Sequence, residues 1–309
     1  EKIMSVLYWL ENLRCSVLDF FFSGITLFGE ETLVVVIAMI LFWCFDKKQG
    51  YFLFFVSFFG TICNLFLKSW FRVPRPWVKD PSFTVVESAK EGATGYSFPS
   101  GHTQSSVVLY SSLIRWNKQK WLRAGALALC ILVPFSRLYL GVHTPLDVLT
   151  SVAISLTLVL VCTPLFQKYS HKKRVMFSLL AFLLTCTLAL VAFLNFYNFP
   201  AEEANSSVLA HIVENAYTLL GCILGLVVVY VADVYGSRFS TQGVWWVQLI
   251  KIAGGLLLVL GAKELPKELL NSLLPLEIAR VVRYFLLVVV GGALWPFTFR
   301  YWNKLASKK

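Results

Sequence analysis

The stretch VMFSLLAFLLTCTLALVAFLNF, residues 175–196, contains no charged side chain. A helix needs about 20 mostly apolar residues to cross the hydrocarbon core of a bilayer, and this stretch meets that length. The whole chain of 309 residues is 57% hydrophobic and only 15% charged. Such a composition excludes an ordinary soluble domain and predicts a protein that crosses the membrane several times.

Similar apolar runs recur along the chain and predict nine transmembrane helices. None of them alternates apolar and polar residues as a β-barrel strand does, so the predicted fold class is all-α. The third run is the shortest and carries Gln104 and several serines, so we expect it to be buried among the other helices. The nine predicted spans are 24–45, 51–71, 103–116, 121–139, 145–166, 175–196, 216–234, 244–261 and 278–299.

Basic residues predict the orientation of these helices, because short cytoplasmic loops are rich in Lys and Arg. Clusters of Lys and Arg at 47–48, 115–123, 168–174 and 300–309 fall at alternate loops, which are therefore predicted to be cytoplasmic. The loop 198–215 carries three glutamates and no Lys or Arg, so it should face outward. The net charge of +11 then follows from topology, and no nucleic-acid partner is predicted.

The segment 1–23 is not expected to be a signal peptide, because Glu11, Arg14 and Asp19 interrupt its apolar residues. Glu11, Arg14 and Leu18 share one helical face, while other apolar side chains lie elsewhere, namely Leu7, Leu10, Val17 and Phe21. The segment is therefore predicted to form an amphipathic helix at the outer interface. A helix packed tightly against the others is the alternative.

Three polar stretches interrupt the apolar pattern, and all three map to one face of the membrane. They are KSWFRVPRP at 68–76, PSGH at 99–102 and SRLYLGVHTPLD at 136–147. A lone cation at the end of a span can simply reach the lipid headgroups. Lys68 lies deeper, where an unpaired ammonium costs a few kcal/mol. We therefore expect Lys68 to meet an anion.

Two of the four histidines lie in these stretches. Either His102 or His143 alone would be interpreted as a capping or interfacial residue, but the cations on the same face weaken that interpretation. Thr144 and Pro145 are typical N-cap and N1 residues, so the fifth span should start there. Asp147 then lies about one turn into the helix, close enough to bond Nδ1 of His143. An imidazole oriented in this way is a nucleophile.

The same stretches predict a site for a phosphoryl group. Ser100 is a typical N-cap residue, and glycine at position 101 lets an anion come close to the backbone. The backbone amides that follow are therefore predicted to form an anion-binding nest. His143 would attack phosphorus in line, His102 would protonate the leaving oxygen, and water would hydrolyse the resulting phosphohistidine. No metal or other cofactor is predicted, because side-chain cations supply the positive charge. These cations are Lys68, Arg75 and Arg137.

The three stretches resemble the signature motifs of the type 2 phosphatidate phosphatase superfamily. The patterns K-x6-R-P, P-S-G-H and S-R-x5-H-x3-D are complete and in order. The resemblance implies that His143 is the nucleophile, that His102 is the general acid and that Asp147 is the partner of His143. The phosphate ligands that it implies are Lys68, Arg75, Ser100, Gly101 and Arg137.

The resemblance also implies a six-helix phosphatase core over 24–196, followed by a C-terminal transmembrane extension over 197–309. Packing, homodimer formation and shaping of a lipid entry path are the alternatives for the extension. Aromatic residues between the first two motifs suit headgroup depth, which favours a lipid phosphate within the membrane as substrate. The candidates are undecaprenyl pyrophosphate, a phosphatidate-type lipid, a sphingoid-base phosphate and lipid A phosphate. The predicted location is the cell membrane, with the site on the non-cytoplasmic face.

Other functions stay open at this point. A soluble sugar phosphate is an alternative substrate, since glucose-6-phosphatase belongs to the same superfamily. A vanadate-dependent oxidase is a second alternative, although the family members with that chemistry are soluble. A non-catalytic phospholipid transporter or scaffold is a third. Transporters often carry charges near the middle of the membrane, whereas the polar residues here cluster at span ends.

Overall fold

The computed structural model describes residues 2–200 and 206–306, and the regular structure of both ranges is helical. A short 3₁₀ helix, Leu27–Gly29, joins the second and third α-helices. The α-helices of the first range are α1 (Lys2–Glu11), α2 (Ser16–Thr26), α3 (Glu31–Cys44), α4 (Lys47–Phe71), α5 (Pro76–Lys79), α6 (Glu87–Lys90), α7 (Gly101–Trp116), α8 (Lys120–Tyr139), α9 (Pro145–Tyr169) and α10 (Lys173–Phe196).

The second range continues in the same way. Its α-helices are α11 (Ser207–Val231), α12 (Trp245–Glu264), α13 (Lys267–Leu273), α14 (Leu276–Val289), α15 (Trp295–Phe297) and α16 (Phe299–Ala306). Two π-helical segments, Ala232–Ser237 and Val290–Leu294, follow α11 and α14 directly. Turns of this kind are rare, occur mostly inside α-helices and are frequent at functional sites.

The number of membrane spans differs from the nine predicted. Within the described ranges, seven helical segments are long and apolar enough to cross a membrane. The count is eight if Ser16–Gly29 and Glu31–Cys44, which are bent by 48° to each other, form one span. The remaining predicted span is α7, whose 16 residues rise only about 24 Å. That length falls short of a hydrocarbon core of about 30 Å, so α7 does not count as a span by itself.

Helix α7 is polar and buried, as the sequence predicts. All residues from 103 to 112 are buried. The hydroxyls of Ser106 and Ser112 donate to carbonyls of the same helix at 3.0 and 2.6 Å, which satisfies them without water. Gly60 of α4 leaves room for Gln104, because a Cβ at position 60 would lie 2.7 Å from its Nε2 atom. The small residue on α4 thus admits a polar side chain between helices.

The amino-terminal segment forms two helices, α1 and α2, where a single amphipathic helix was predicted over 1–23. Leu7 of α1 is completely buried. Arg14, in the connection, donates to the carbonyl of Tyr139 at 3.1 Å and to that of Thr84 at 2.8 Å. These contacts tie the segment to the loop before α6 and to α8, where the third motif begins, and they favour the packed alternative.

Helix α11 begins at residue 207, within the loop 198–215 that was predicted to be irregular. The hydroxyl of Ser206 accepts from the backbone N–H of Leu209 at 3.1 Å and caps this helix. Glu214, which was predicted to lie in the loop, is helical, and its Oε2 atom pairs with Nη2 of Arg280 at 2.9 Å. Because Arg280 compensates the negative charge of Glu214, the helix can continue through this residue. The other acidic residues of the loop, Glu202 and Glu203, lie outside the described residues.

The chain divides into two compact units. The candidate site residues all belong to the first unit, whereas most of the extension belongs to the second. The first unit comprises Glu1–Val35, Phe59–Leu165 and Asn198–Ile212, and the second comprises Val36–Phe58, Phe166–Tyr197 and Val213–Lys309. Within the second unit, the buried indole of Trp43 donates to the carbonyl of Gly291 at 2.9 Å. The π-helical segment Val290–Leu294 therefore packs against α3.

Candidate active site

The first motif places two cations against one segment of backbone. Lys68, in the last turn of α4, is buried and donates from Nζ to the carbonyl of Tyr96 at 2.6 Å. Arg75 donates from Nε to the carbonyl of Gly95 at 3.1 Å and from Nη2 to that of Thr94 at 2.9 Å. Gly95 has a φ of +75°, a conformation that favours glycine. Three successive carbonyls thus orient both cations.

Arg75 also meets the third motif. Its Nη1 atom donates to the carbonyl of Val142 at 2.9 Å and lies 2.9 Å from Nε2 of His143. Nδ1 lies 3.5 Å from the same Nη1 atom and 3.5 Å from Oδ2 of Asp147. Because a carboxylate can only accept, the ring proton belongs on Nδ1, facing Asp147, and Nε2 keeps the lone pair. The tautomer agrees with the prediction, although 3.5 Å exceeds an ordinary hydrogen bond.

Asp147 is held by more partners than the sequence indicates. Its Oδ2 atom accepts from the backbone N–H of Thr144 at 2.7 Å and from the hydroxyl of Ser97 at 2.6 Å. The Thr144 hydroxyl accepts in return from the N–H of Asp147 at 3.3 Å. This reciprocal pair is a capping box, and it confirms the predicted start of the helix at Thr144 and Pro145. Ser97 was not predicted.

The second motif starts α7 and is joined to the third through the backbone. Ser100 is the N-cap, since its hydroxyl accepts from the N–H of Thr103 at 3.4 Å. The N–H of Ser100 itself donates to the backbone carbonyl of Asp147 at 3.3 Å. A Cβ at Gly101 would meet no heavy atom within 4 Å, so the backbone there can be approached closely. His102 follows in the first turn.

Arg137 is the third cation of the site and is only 2% exposed. Its Nη1 atom donates to the hydroxyl of Thr26 in α2 at 2.6 Å. Its Nε atom is buried and has no hydrogen-bond partner among the described residues. A buried donor without an acceptor costs about 1–3 kcal/mol, and more for a charged group. An anion bound beside Nε would remove that cost. Thr26 stands far away in sequence, which explains why no motif revealed it.

Both histidines experience strong positive potential. Burial is the largest cause that lowers the pKa of the His143 imidazole well below its usual value, and Arg75, Arg137 and Lys68 lower it further. Burial likewise lowers the pKa of His102 to about 3, with additional contributions from Arg137, Arg75 and Lys68. Both imidazoles are therefore neutral at physiological pH until an anion offsets the cations.

The structure thus brings the predicted site residues together in one unit. Hydrogen bonds connect Arg75 with His143, and Ser100 with Asp147, while the cations influence both histidines electrostatically. Among the residues that the structure describes, no three His, Cys, Asp or Glu side chains form a group that could hold a metal ion. Lys68, Arg75 and Arg137 carry positive charge at this site.

Comparison with known protein families gives two matches. Residues 49–171 match the model of the PAP2 superfamily. Residues 217–308 match a model described as PAP2 superfamily phosphatase, transmembrane extension. The first match contains all three polar stretches, and the second lies within the predicted extension.

Curated relatives are similar over about half of the chain. Probable sphingosine-1-phosphate phosphatase of Dictyostelium discoideum is 26% identical over 53% of this chain and 42% of its own length. Phosphatidylglycerophosphatase B of Bacillus subtilis is 33% identical over 44% of this chain and 69% of its own. Undecaprenyl-diphosphatase BcrC of Bacillus subtilis is 29% identical over 46% and 71%. With its apolar helices, its three motifs and these matches, the chain is a multi-pass membrane protein that belongs to the PAP2 superfamily.

Proposed function

We propose that this chain is a phosphatase that hydrolyses a lipid phosphate or pyrophosphate at the non-cytoplasmic face of the cell membrane. The supporting observation is the 2.9 Å contact between Nη1 of Arg75 and Nε2 of His143, with Asp147 behind the ring. A phosphoryl oxygen that accepts from Arg75 would lie beside Nε2, whose lone pair would then attack phosphorus. One cation thereby positions substrate and nucleophile together.

In the first chemical step, Nε2 of His143 forms a bond to phosphorus while the bond to the leaving oxygen breaks. His102, as an imidazolium, gives its proton to that oxygen. Lys68, Arg75, Arg137 and the amides after Ser100 stabilise the charge on the three non-bridging oxygens. The products are the free alcohol, or the lipid monophosphate if the substrate is a pyrophosphate, and a phosphohistidine. No metal ion takes part in this scheme.

In the second step, water attacks the phosphohistidine. His102, now neutral, removes a proton from the water as its oxygen bonds to phosphorus and the bond to Nε2 breaks. Phosphate leaves, and His143 returns to its neutral form. Throughout, Asp147 holds the Nδ1 proton in place, because its other partners, Ser97 and Thr144, fix the carboxylate.

The substrate class is proposed from the relatives and from the membrane setting. The names of the three relatives refer to phosphates of a sphingoid base, of phosphatidylglycerol and of undecaprenol. All three are phosphates on a lipid, and a site at the ends of membrane spans can receive such a headgroup while the chains stay in the bilayer. Phosphatidate-type and lipid A phosphates belong to the same class.

The test is phosphate release by the purified full chain with EDTA present. The panel contains lipid monophosphates, lipid pyrophosphates and soluble sugar phosphates, and the ranking of kcat/KM names the substrate. Vanadate, which adopts five-coordinate geometry, should inhibit. Inhibition by EDTA that divalent metal reverses would contradict the metal-free scheme. If folded protein hydrolysed no member of the panel but moved phospholipid between leaflets, the transporter alternative would replace this proposal.

The profile of kcat/KM against pH should be shifted toward lower pH. The pKa of His143 is lowered, so its neutral, nucleophilic form persists as pH falls, and the acid limb should lie below the usual histidine value of about 6.5. His102, whose pKa is also lowered, needs a proton carried in by the phosphomonoester, so kcat/KM should fall above a pH of about 6. Arg137→Gln should move the acid limb upward. An acid limb at or above the usual value in the wild type would contradict this prediction.

His102→Ala should lose rate according to the leaving group. For an alkyl or lipid phosphate we expect a loss of about 10²- to 10⁴-fold, since the poor leaving oxygen needs a proton. For an activated aryl phosphate the loss in the first step should be less than about tenfold, because that oxygen departs without protonation. Single-turnover measurements with both substrates separate the effects. Equal losses for the two would rule out His102 as the general acid.

A further inference from the structure

The second unit contains a cavity of about 660 Å³. None of the candidate active-site residues lines it. Its wall comes from three stretches of the chain, 45–51, 170–176 and 230–242. The volume falls in the range of pockets that hold small ligands or headgroups. These stretches include two of the basic clusters that the sequence places at predicted cytoplasmic loops.

A π-helical segment supplies one of the two acidic residues of the wall. Asp233 lies in Ala232–Ser237 and its Oδ1 atom pairs with Nζ of Lys47 at 2.6 Å. The hydroxyl of Tyr51 donates to the other carboxylate oxygen at 3.3 Å. The Lys47 ammonium lies 3.7 Å from the centre of the Phe239 ring. Asp233 and Lys47 therefore satisfy each other, and the pair adds no net charge to the cavity.

A buried lysine holds another part of the wall, residues 240–242. Lys251 of α12 is completely buried, and its ammonium has three acceptors in the loop that lines the cavity. A buried ammonium is costly unless such partners surround it, so the loop and the lysine stabilise each other. The acceptors are the carbonyls of Ser240 at 3.2 Å, Thr241 at 3.4 Å and Gln242 at 3.0 Å. These bonds fix this part of the wall.

Besides the Lys47–Asp233 pair, the wall carries the cations Lys48 and Lys173 and the carboxylate of Asp46. Lys48 and Lys173 lie in the first turns of α4 and α10, where no acidic residue stands within the helix. A helix N-terminus carries positive partial charge, so cations there are unfavourable unless an anion is near. Asp46 precedes α4 and accepts from the backbone N–H of Lys48 at 2.8 Å, so it offsets one of the two cations and leaves the wall with one excess positive charge. The hydroxyl of Ser170 is buried and has no partner among the described residues.

We propose that this cavity is a second binding site, separate from the catalytic residues, for a phosphate group carried by an anionic lipid or free in solution. Lys48 and Lys173 would supply the charge, and Ser170 would donate its hydroxyl to a phosphate oxygen. The aromatic side chains of Tyr51 and Phe239 form an apolar border suited to a headgroup at the membrane interface. The proposal does not depend on the catalytic function.

The test compares two double variants of the full chain that remove the same charge. Lys48→Ala with Lys173→Ala changes the cavity. Lys168→Ala with Lys172→Ala changes neighbouring basic residues that do not line it and that lie over the Tyr169 ring. Delipidated protein is titrated with phosphatidylglycerol and followed by native mass spectrometry, and with inorganic phosphate followed by phosphorus NMR. Unchanged thermal melting shows that the variants are folded.

We expect the cavity variant to weaken binding of one phosphate equivalent at least tenfold, and the control variant to change it less than twofold. Loss confined to phosphatidylglycerol would identify a lipid headgroup, whereas loss confined to inorganic phosphate would identify a soluble anion; either supports the site. Equal weakening in both variants would mean general attraction to a basic surface and would overturn the proposal. No weakening in either variant would overturn it as well.

Discussion

Replacing His143 by alanine should lower kcat/KM for the lipid substrate by at least about 10⁴-fold. The imidazole is the only nucleophile in the proposed scheme, and its Nε2 atom lies 2.9 Å from Nη1 of Arg75, one of the cations proposed to hold the phosphoryl group. Alanine leaves a space that water can occupy, but water there lacks the orientation that Asp147 gives to the ring. The remaining turnover should therefore be close to the rate that the cations support without a nucleophilic side chain.

The same variant should still bind phosphate and vanadate. Lys68 and Arg75 are held by the carbonyls of Thr94, Gly95 and Tyr96, and none of these bonds requires the imidazole. Rapid acid-free quenching should trap a phosphohistidine in the wild type and none in His143→Ala, while His102→Ala should accumulate it with an activated aryl phosphate. A phosphoenzyme that survived in His143→Ala would place the nucleophile elsewhere and would sink the assignment.

The parts of the site that could be predicted from the sequence are those whose structure is local. Ser100 caps α7, and Thr144 with Asp147 forms a capping box, because each pair is separated by only three residues. A helix start is determined over such distances, so the spacing of motif residues was sufficient. The same spacing put Asp147 on the side of His143 where the structure has it.

The parts that could not be predicted depend on contacts between distant segments. Thr26 reaches Arg137 across 111 positions, and the carbonyls of Thr94 and Gly95 orient Arg75 only once the intervening chain has folded back. Nothing in residue type marks a backbone carbonyl as a partner. Ser97 is an intermediate case, since it lies close to the second motif in the sequence but donates a hydrogen bond to Asp147 of the third motif.

The predicted span boundaries differ from the helices of the structure for a related reason. Hydropathy averages the residue types along a stretch of sequence, and it takes no account of whether a polar side chain has a hydrogen-bond or ion-pair partner. Glu214 continues α11 because Arg280 pairs with it, and α7 stays buried with its serines because their hydroxyls bond within the helix. The break between α1 and α2 likewise follows from the bonds that Arg14 makes to a distant loop. In each case a compensating contact overrides composition.

The second large effect is expected for Asp147→Asn, which should reduce kcat by about 10³- to 10⁴-fold with little change in KM. The amide keeps the size of the side chain but removes the negative charge that stabilises the positive ring of the phosphohistidine, and it can donate toward Nδ1 and favour the wrong tautomer. Substrate binding should persist, because the cations that hold phosphate are bonded to other residues.

Asp80→Asn is the matched control for this change. Asp80 accepts from the hydroxyl of Tyr8 at 2.7 Å and from that of Ser82 at 2.6 Å, much as Asp147 accepts from Ser97, but it has no catalytic histidine as its partner. Both substitutions weaken hydrogen bonds to a carboxylate in the same unit, so a fall in thermal stability can be common to them. Only Asp147→Asn should lose kcat, while Asp80→Asn should stay within about twofold of the wild type. If the two variants lost activity to the same extent, the effect would be structural, and Asp147 would have no particular role in orienting His143.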